Sequence, residues 1–347
     1  MNVAVIGGGL FGCQISIDLA ALDFVDGIDL YEKNSDLMRE ASYNNQHRLH
    51  MGYHYPRSSE TIKQILSTNA SFMEKFNDCT FPIESNLYLI AKDNSLTNSK
   101  KFAETFESHN ISEVALKDYE RYLKVDMLQA GFLVDEKGLN NSAIRKKVTR
   151  NIAKSNKVTL HFNHEIENVE SLKHDLIINC SYRDFSLSSE TSMKYEICIL
   201  SLVKNPFDDQ RFAFTVMDGK FPSLYPTENE EVFTLSHVEK TPIFKSNSLL
   251  EAKEFRKNLS DHDIDRANRE IIEMSSDFFK MKFEPIGQYL SYKVKRLNDK
   301  NDVRTSDITF SGNKISILQG KITTVCHVSN EIVTYAKNHF DRKGISR

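Results

Sequence analysis

The chain has 347 residues, 40% of them hydrophobic, which is enough to bury a sizeable core and to build two or three units of ordinary size. Its 45 lysines and arginines stand against 48 aspartates and glutamates, a net charge of −3, so no overall basic surface marks a nucleic-acid partner. No apolar run approaches the length of a transmembrane segment, and the N-terminus opens on a strand in place of a charged signal segment, so the expected localisation is cytoplasmic.

Asn2 to Ile6 reads as a strand, followed at once by Gly7-Gly8-Gly9-Leu10-Phe11-Gly12. A helix fits Leu10 to Leu22, with Ile15, Leu19 and Leu22 on one face, and Ile28 to Tyr31 reads as the next strand, closed by Glu32. In a dinucleotide-binding turn, Gly7 permits the sharp reversal, Gly9 lets the backbone approach a pyrophosphate, and Gly12 lets the helix pack on the strand. The free N–H groups at the helix start favour the diphosphate, and Glu32, twenty residues beyond Gly12, stands where an acid would meet a ribose. A glycine-rich βα turn with no ligand is the plainer alternative.

Beyond a polar turn at Lys33 to Asp36, a short helix is expected through Leu37 to Ala41. Ser42 to Ser58 then gathers three histidines, two arginines and three tyrosines without helical or strand periodicity. A helix from about Ser59 follows, with Ile62, Ile65, Phe72 and Phe76 at helical spacing. An irregular polar segment held between a nucleotide-binding unit and a rigid helix is a common location for binding groups.

Three features now combine: the opening glycine turn, an H-x-G-x-x-Y segment at His50-Met51-Gly52-Tyr53-His54-Tyr55, and a late Gly320-Lys321-Ile322-Thr323-Thr324. Together they resemble the D-amino-acid oxidase superfamily of FAD-dependent oxidoreductases, nearest to its L-2-hydroxyglutarate dehydrogenase and glycerol-3-phosphate dehydrogenase branches. The resemblance implies FAD as cofactor, with Gly7 to Gly12, Glu32, Lys33, Ser42, Asn45, Arg48, Ile166 and the segment Gly320, Lys321, Ile322 and Thr323 around it. It also puts His50 beside the flavin, with His54 and Tyr55 facing a small-molecule substrate. Gln319 stands where the family has a further glycine.

Along the rest of the chain, strands are expected at Asn86 to Ala91 and Phe132 to Asp135, and helices at Asn98 to His109 and Lys117 to Leu128. Asn140 or Asn141 can cap a helix with Ile144, Val148 and Ile152 inward. Strands at Val158 to Phe162, a continuation at Glu165 to Val169, and Asp175 to Cys180 follow. Short β-rich runs at Tyr195 to Leu200, Phe212 to Met217, Phe221 to Tyr225 and Val232 to Leu235 indicate an antiparallel sheet. Helices at Leu249 to Leu259 and Ile264 to Phe279, a strand at Lys314 to Leu318 and a last helix face at Val325, Val328, Ile332 and Ala336 complete the reading. Five scattered cysteines form no CxxC pair, so buried hydrophobes are expected and no metal site or disulfide framework.

The expected fold is α/β: a Rossmann-like, glutathione-reductase-like FAD-binding domain (1–82, 134–184 and 292–347) interleaved with an antiparallel-sheet substrate domain (83–133 and 185–291). The expected reaction is oxidation of a CH–OH or CH–NH carbon of a small anionic molecule, with electrons passing to oxygen, a quinone or another acceptor. His50 or His54 is the candidate proton acceptor. Arg304 is the candidate for a substrate carboxylate or phosphate, because guanidinium offers a planar fork. A flavin-dependent isomerase, mutase or lyase without net redox, and a non-catalytic dinucleotide-binding scaffold, remain alternatives.

Overall fold

The structure is a computed structural model and describes residues 1–182, 193–297 and 305–341. The chain opens with β1 (Asn2–Ile6), α1 (Leu10–Ala20) and β2 (Gly27–Tyr31), and resumes regular structure at α2 (Ser59–Phe76). Next come β3 (Thr80–Phe81), β4 (Ser85–Ala91), α3 (Ser99–Thr105), β5 (Ile111–Val114), β6 (Leu128–Val134), β7 (Gly138–Leu139), α4 (Asn141–Ala153), β8 (Val158–His161) and β9 (Leu176–Asn179). A run of strands follows: β10 (Met193–Lys204), β11 (Phe212–Met217), β12 (Pro222–Pro226), β13 (Val232–His237) and β14 (Pro242–Ser246). The chain closes with α5 (Leu249–Lys257), α6 (Asp261–Ser275), β15 (Pro285–Arg296), β16 (Asp307–Ser311), β17 (Lys314–Leu318) and α7 (Val325–Phe340).

Two large sheets organise these elements. The first has the order β16-β17-β9-β1-β2-β8, parallel except for the antiparallel edge strand β16. A parallel sheet needs both faces covered. The faces of α1, α4 and α7 supply cover through Ile15, Leu19, Ile144, Val148, Val328 and Ile332, which share one core with Val3, Val5 and Ile178. The chain therefore leaves this sheet after β2, returns for β8 and β9, leaves again and returns for β16 and β17.

The second sheet has nine strands, with β15 pairing β10 beside the path β14-β10-β13-β12-β11-β4-β6-β5. It is antiparallel apart from one parallel pair, β11 with β4. Its outer core is aromatic, with Phe207, Phe214, Phe233 and Phe279 packed with Ile271 of α6. All five cysteines are free and buried, as expected of small hydrophobes.

Several local expectations change. Leu37 to Ala41 forms turns in place of a helix, because Met38 takes a left-handed φ of 55° and its N–H is held by the Gly8 carbonyl at 2.9 Å. Lys117 to Leu128 holds two separate 3-10 turns, Leu116–Tyr119 and Val125–Met127, before Leu128 enters β6. The helix at Asn98 to His109 is shorter, ending at Thr105. Glu165 to Val169 is not a strand: Asn168 caps a 3-10 turn there. The strands β14 and β15 escape the sequence reading, since β15 runs Pro285–Arg296 with Gly287 and three charges among its residues.

Candidate functional site

The chain reverses at Gly7 with φ +100°, a conformation that side-chain-bearing residues rarely adopt. A Cβ on Gly12 would stand 1.9 Å from the Gly7 carbonyl oxygen, so α1 lies against the turn with room for a hydrogen only. The start of α1 lacks a capping side chain of its own, and Ser42 Oγ accepts the Leu10 N–H at 3.0 Å. Glu32 is buried at the end of β2. It accepts the Gly8 N–H at 2.8 Å and both donors of Asn34, so it holds the glycine turn as well as standing where the ribose was expected.

Two cavities meet at this turn. The smaller, about 580 Å³, is walled by Gly7, Gly9, Glu32, Lys33 and Ile166. The larger, about 1220 Å³, is walled by Phe11, Asn45, Arg48, His50, His54, Tyr55, Gly320, Lys321 and Ile322. Ala41, Ser42, Tyr182, Tyr292 and Gln319 border both, so the two form one run past the start of α1. Gln319 has its own role: its side-chain amide donates to the Cys180 carbonyl at 2.8 Å, tying the late turn to the end of β9 beside Gly7. Of the remaining expected residues, Leu10 and Gly12 are buried in the α1 packing, Gly8 bonds Glu32, and Thr323 is buried without facing either cavity. Arg304 lies outside the described residues.

The two ends of the chain converge in the larger cavity. Lys321 Nζ lies 3.5 Å from His50 Nε2 and 4.5 Å from the centre of the Tyr55 ring. The His50 ring is 5.8 Å from both His54 and Tyr55, and His54 is 5.3 Å from Tyr55. Burial, then the charges of Lys321 and Arg48, hold the His50 pKa well below the usual histidine value, so the ring is neutral.

Beneath this cluster lies a buried network. Arg48 donates to Tyr88 Oη at 2.6 Å, Thr215 Oγ1 at 2.8 Å, Ser223 Oγ at 2.8 Å and Glu136 Oε2 at 3.3 Å. Its guanidinium also stacks 4.2 Å from the Tyr225 ring. Burial pushes the Glu136 carboxyl up from its ordinary range, opposed by the charge of Arg48. Glu136 accepts the Met51 N–H at 2.9 Å, and its Oε1 is 3.9 Å from His50 Nδ1. Sequence reasoning missed Glu136, which sits in a loop with no motif around it. The Arg48 guanidinium bonds protein groups of the second sheet and Glu136, so it fixes the His47 to Tyr55 segment on that sheet. His47 itself is buried, with Nδ1 2.7 Å from Glu228 and 3.1 Å from the Leu139 carbonyl.

The family comparison decides the identity of the cofactor. The sequence profile of the DAO family, described as FAD dependent oxidoreductase, matches residues 2–181, just over half of the chain. The chain belongs to this family. As a DAO-family protein it is an FAD-dependent oxidoreductase acting on a small molecule. It is 27% identical over 345 residues to FAD-dependent monooxygenase FPY4 of Fusarium mangiferae, covering 96% of this chain and 90% of that one. In fold it is similar to glycine oxidase from Geobacillus kaustophilus, with a TM-score of 0.65, 10% identity, and coverage of 98% and 94% of the two chains. It is likewise similar to L-alpha-glycerophosphate oxidase from Mycoplasma pneumoniae, solved with FAD bound, with a TM-score of 0.67, 14% identity, and coverage of 98% and 94%.

The DAO-family cofactor suits what the chain presents. FAD is long and bipartite, and the two joined cavities offer a long bipartite space. The glycine turn, where a Cβ at Gly7 or Gly12 would collide with backbone, brings Gly7 and Gly9 at the start of α1 to the wall of the smaller cavity. No described helix is long and apolar enough to cross a membrane, and no group of metal-ligating side chains is found among the described residues.

Proposed function

We propose that the protein oxidises a CH–OH or CH–NH carbon of a small anionic molecule in the larger cavity. The observation that carries this reading is the meeting of His50, His54, Tyr55 and Lys321 in one cavity continuous with the glycine turn. Gly7, Gly9, Glu32, Lys33, Ser42 and Ile166 would hold the adenosine diphosphate half of FAD. Asn45, Gly320, Lys321 and Ile322 would hold the ring half. FAD, when bound, supplies a two-electron acceptor.

The chain's own residues handle the proton and the charge. His50 is neutral, and its Nε2 takes the proton that leaves the substrate oxygen or nitrogen. The Lys321 ammonium on the Nε2 side and the ring contacts with His54 and Tyr55 keep the ring oriented. Cationic residues outnumber carboxylates among those lining the cavity, which favours an anionic substrate. The division of labour follows the two sheets: the parallel one, from segments within 1–82, 134–184 and 292–347, for FAD, and the nine-stranded one for substrate.

The test is anaerobic. Purified protein is expected to show a flavin spectrum that is bleached by one of a panel of hydroxy acids and amines, and His50→Ala is expected to slow bleaching with the flavin still bound. Bleaching by no member of the panel, or a variant as fast as wild type, overturns the reading. Monooxygenation is a second reading, supported by the names of the relatives FPY4 and kojA. Incorporation of label from ¹⁸O₂ into product, with a requirement for an external reductant, would favour it.

A further inference from the structure

One face of the nine-stranded sheet floors the larger cavity, and strand register determines which side chains share that face. Thr215 pairs with Tyr88 on β4 and with Ser223 on β12, and Ser223 pairs with Ser236 on β13. Ser201 pairs with Leu235, which puts Leu200 of β10 on the same face as Ser236. Alternation along β10 then carries Cys198, Glu196 and Lys194 onto that face. Glu196 pairs with Lys245 of β14 on one side and Lys293 of β15 on the other, and Lys194 pairs with Lys295.

These four lysines and Glu196 all line the cavity. Lys245, Lys293 and Lys295 act on the Glu196 carboxylate, and Lys194 lies two residues along the same strand face. Glu196 is buried, and one of its oxygens is 3.0 Å from Lys295 Nζ. Burial alone would raise the Glu196 pKa, yet the charges of Lys293, Lys295 and Lys245 hold it below the ordinary value, which reflects the positive field on this wall. On the nearby rim, Asp307 is already paired with Arg296 at 2.7 Å. A strand advances about 3.3 Å per residue and neighbouring strands lie about 4.8 Å apart, so the lysines are roughly 15–25 Å along the floor from the Arg48 end.

We infer that this lysine face is a subsite for the phosphate or diphosphate of a substrate whose reacting carbon lies at the His50 end of the same cavity. The inference rests on the proposed oxidation and adds the chemical class and place of the anion. A carboxylate needs one cation, whereas a group carrying two or three charges is matched by several. Lysine meets phosphate as a compact point charge and does not demand the planar fork that arginine offers a carboxylate. The distance from His50 requires a substrate that carries its phosphate well away from the oxidised carbon.

The experiment uses the FAD-loaded protein, in which the cofactor's own phosphate site is filled. Calorimetric titration with inorganic pyrophosphate is expected to show one site, weakened roughly tenfold or more in Lys293→Gln and in Lys245→Gln. Flavin content and melting temperature report that both variants are folded. Absence of binding to wild type, or equal affinity in wild type and both variants, overturns the subsite. Failure of the redox reading is seen separately: pyrophosphate held through these lysines, with no hydroxy or amino compound bleaching the flavin, keeps the subsite and removes the reaction. Pairs of hydroxy compounds with and without a phosphate complete the test, and preference for the unphosphorylated member counts against the inference.

Discussion

Lys321 Nζ lies 3.5 Å from Nε2 of His50, although the two residues are 271 positions apart in the chain. A cation at that distance disfavours a second positive charge on the imidazole, adding to the effect of burial. The neutral base persists as pH falls until the lowered pKa is reached, so the acid limb of flavin reduction is expected well below pH 6.5. Lys321→Gln removes one cause of the depression, and the limb is expected to move to higher pH. Rapid-reaction rates between pH 4.5 and 8 measure both, and an unmoved limb in the variant would show that Lys321 does not act on His50.

Arg48 and Glu136 form a pair whose side chains are 1% and 0% exposed. Arg48→Ala would leave the Glu136 carboxylate buried without its cation, and is expected to cost about 3–5 kcal/mol of stability. Replacing both residues by apolar ones is expected to recover much of that loss. Urea unfolding of the single and double variants, followed by circular dichroism, provides the comparison.

Gly12→Ala places a methyl group where the Gly7 carbonyl oxygen already stands. The turn must open, and the variant is expected to purify with little or no FAD. Absorbance at flavin wavelengths per mole of protein reads the effect directly, and wild-type flavin content would refute the packing argument.

Glu228 has its pKa lowered to about 2: burial acts to raise it, but hydrogen bonds from His47 and Ser142 and the His47 charge prevail. A carboxylate lowered in the folded state contributes stability that is present above its unfolded value near 4.5 and is lost as pH falls toward 2. Wild type is therefore expected to lose melting temperature between pH 5 and pH 3 more steeply than Glu228→Gln. Thermal melts across that range test the sign, and parallel curves would reject it.

Much of the parallel sheet was legible because its signals are local. The apolar run at Val3 to Ile6, the glycines at Gly7, Gly9 and Gly12, and the Asn140 cap each act within a few residues. The second sheet was less legible. Its strand β15 carries Lys293, Lys295 and Arg296 among apolar residues, and its strand partner is β10, nearly a hundred residues earlier. Lys117 to Leu128 has helical composition, but Leu123 is drawn into a bridge with Phe279, and tertiary pairing outweighs propensity.

The glycine turn and its approach to Glu32 could be read from the chain alone, because backbone conformation at Gly7 and the spacing to Glu32 are properties of a short stretch of residues. The chain also marked His50, His54 and Tyr55 as a group. That Lys321 reaches His50, that Glu136 lies near both Arg48 and His50, and that four lysines from three strands share one face emerged on folding alone. Those relationships depend on register and on crossing between two sheets. The interactions that set them act between residues distant along the chain, where no local pattern records the partner.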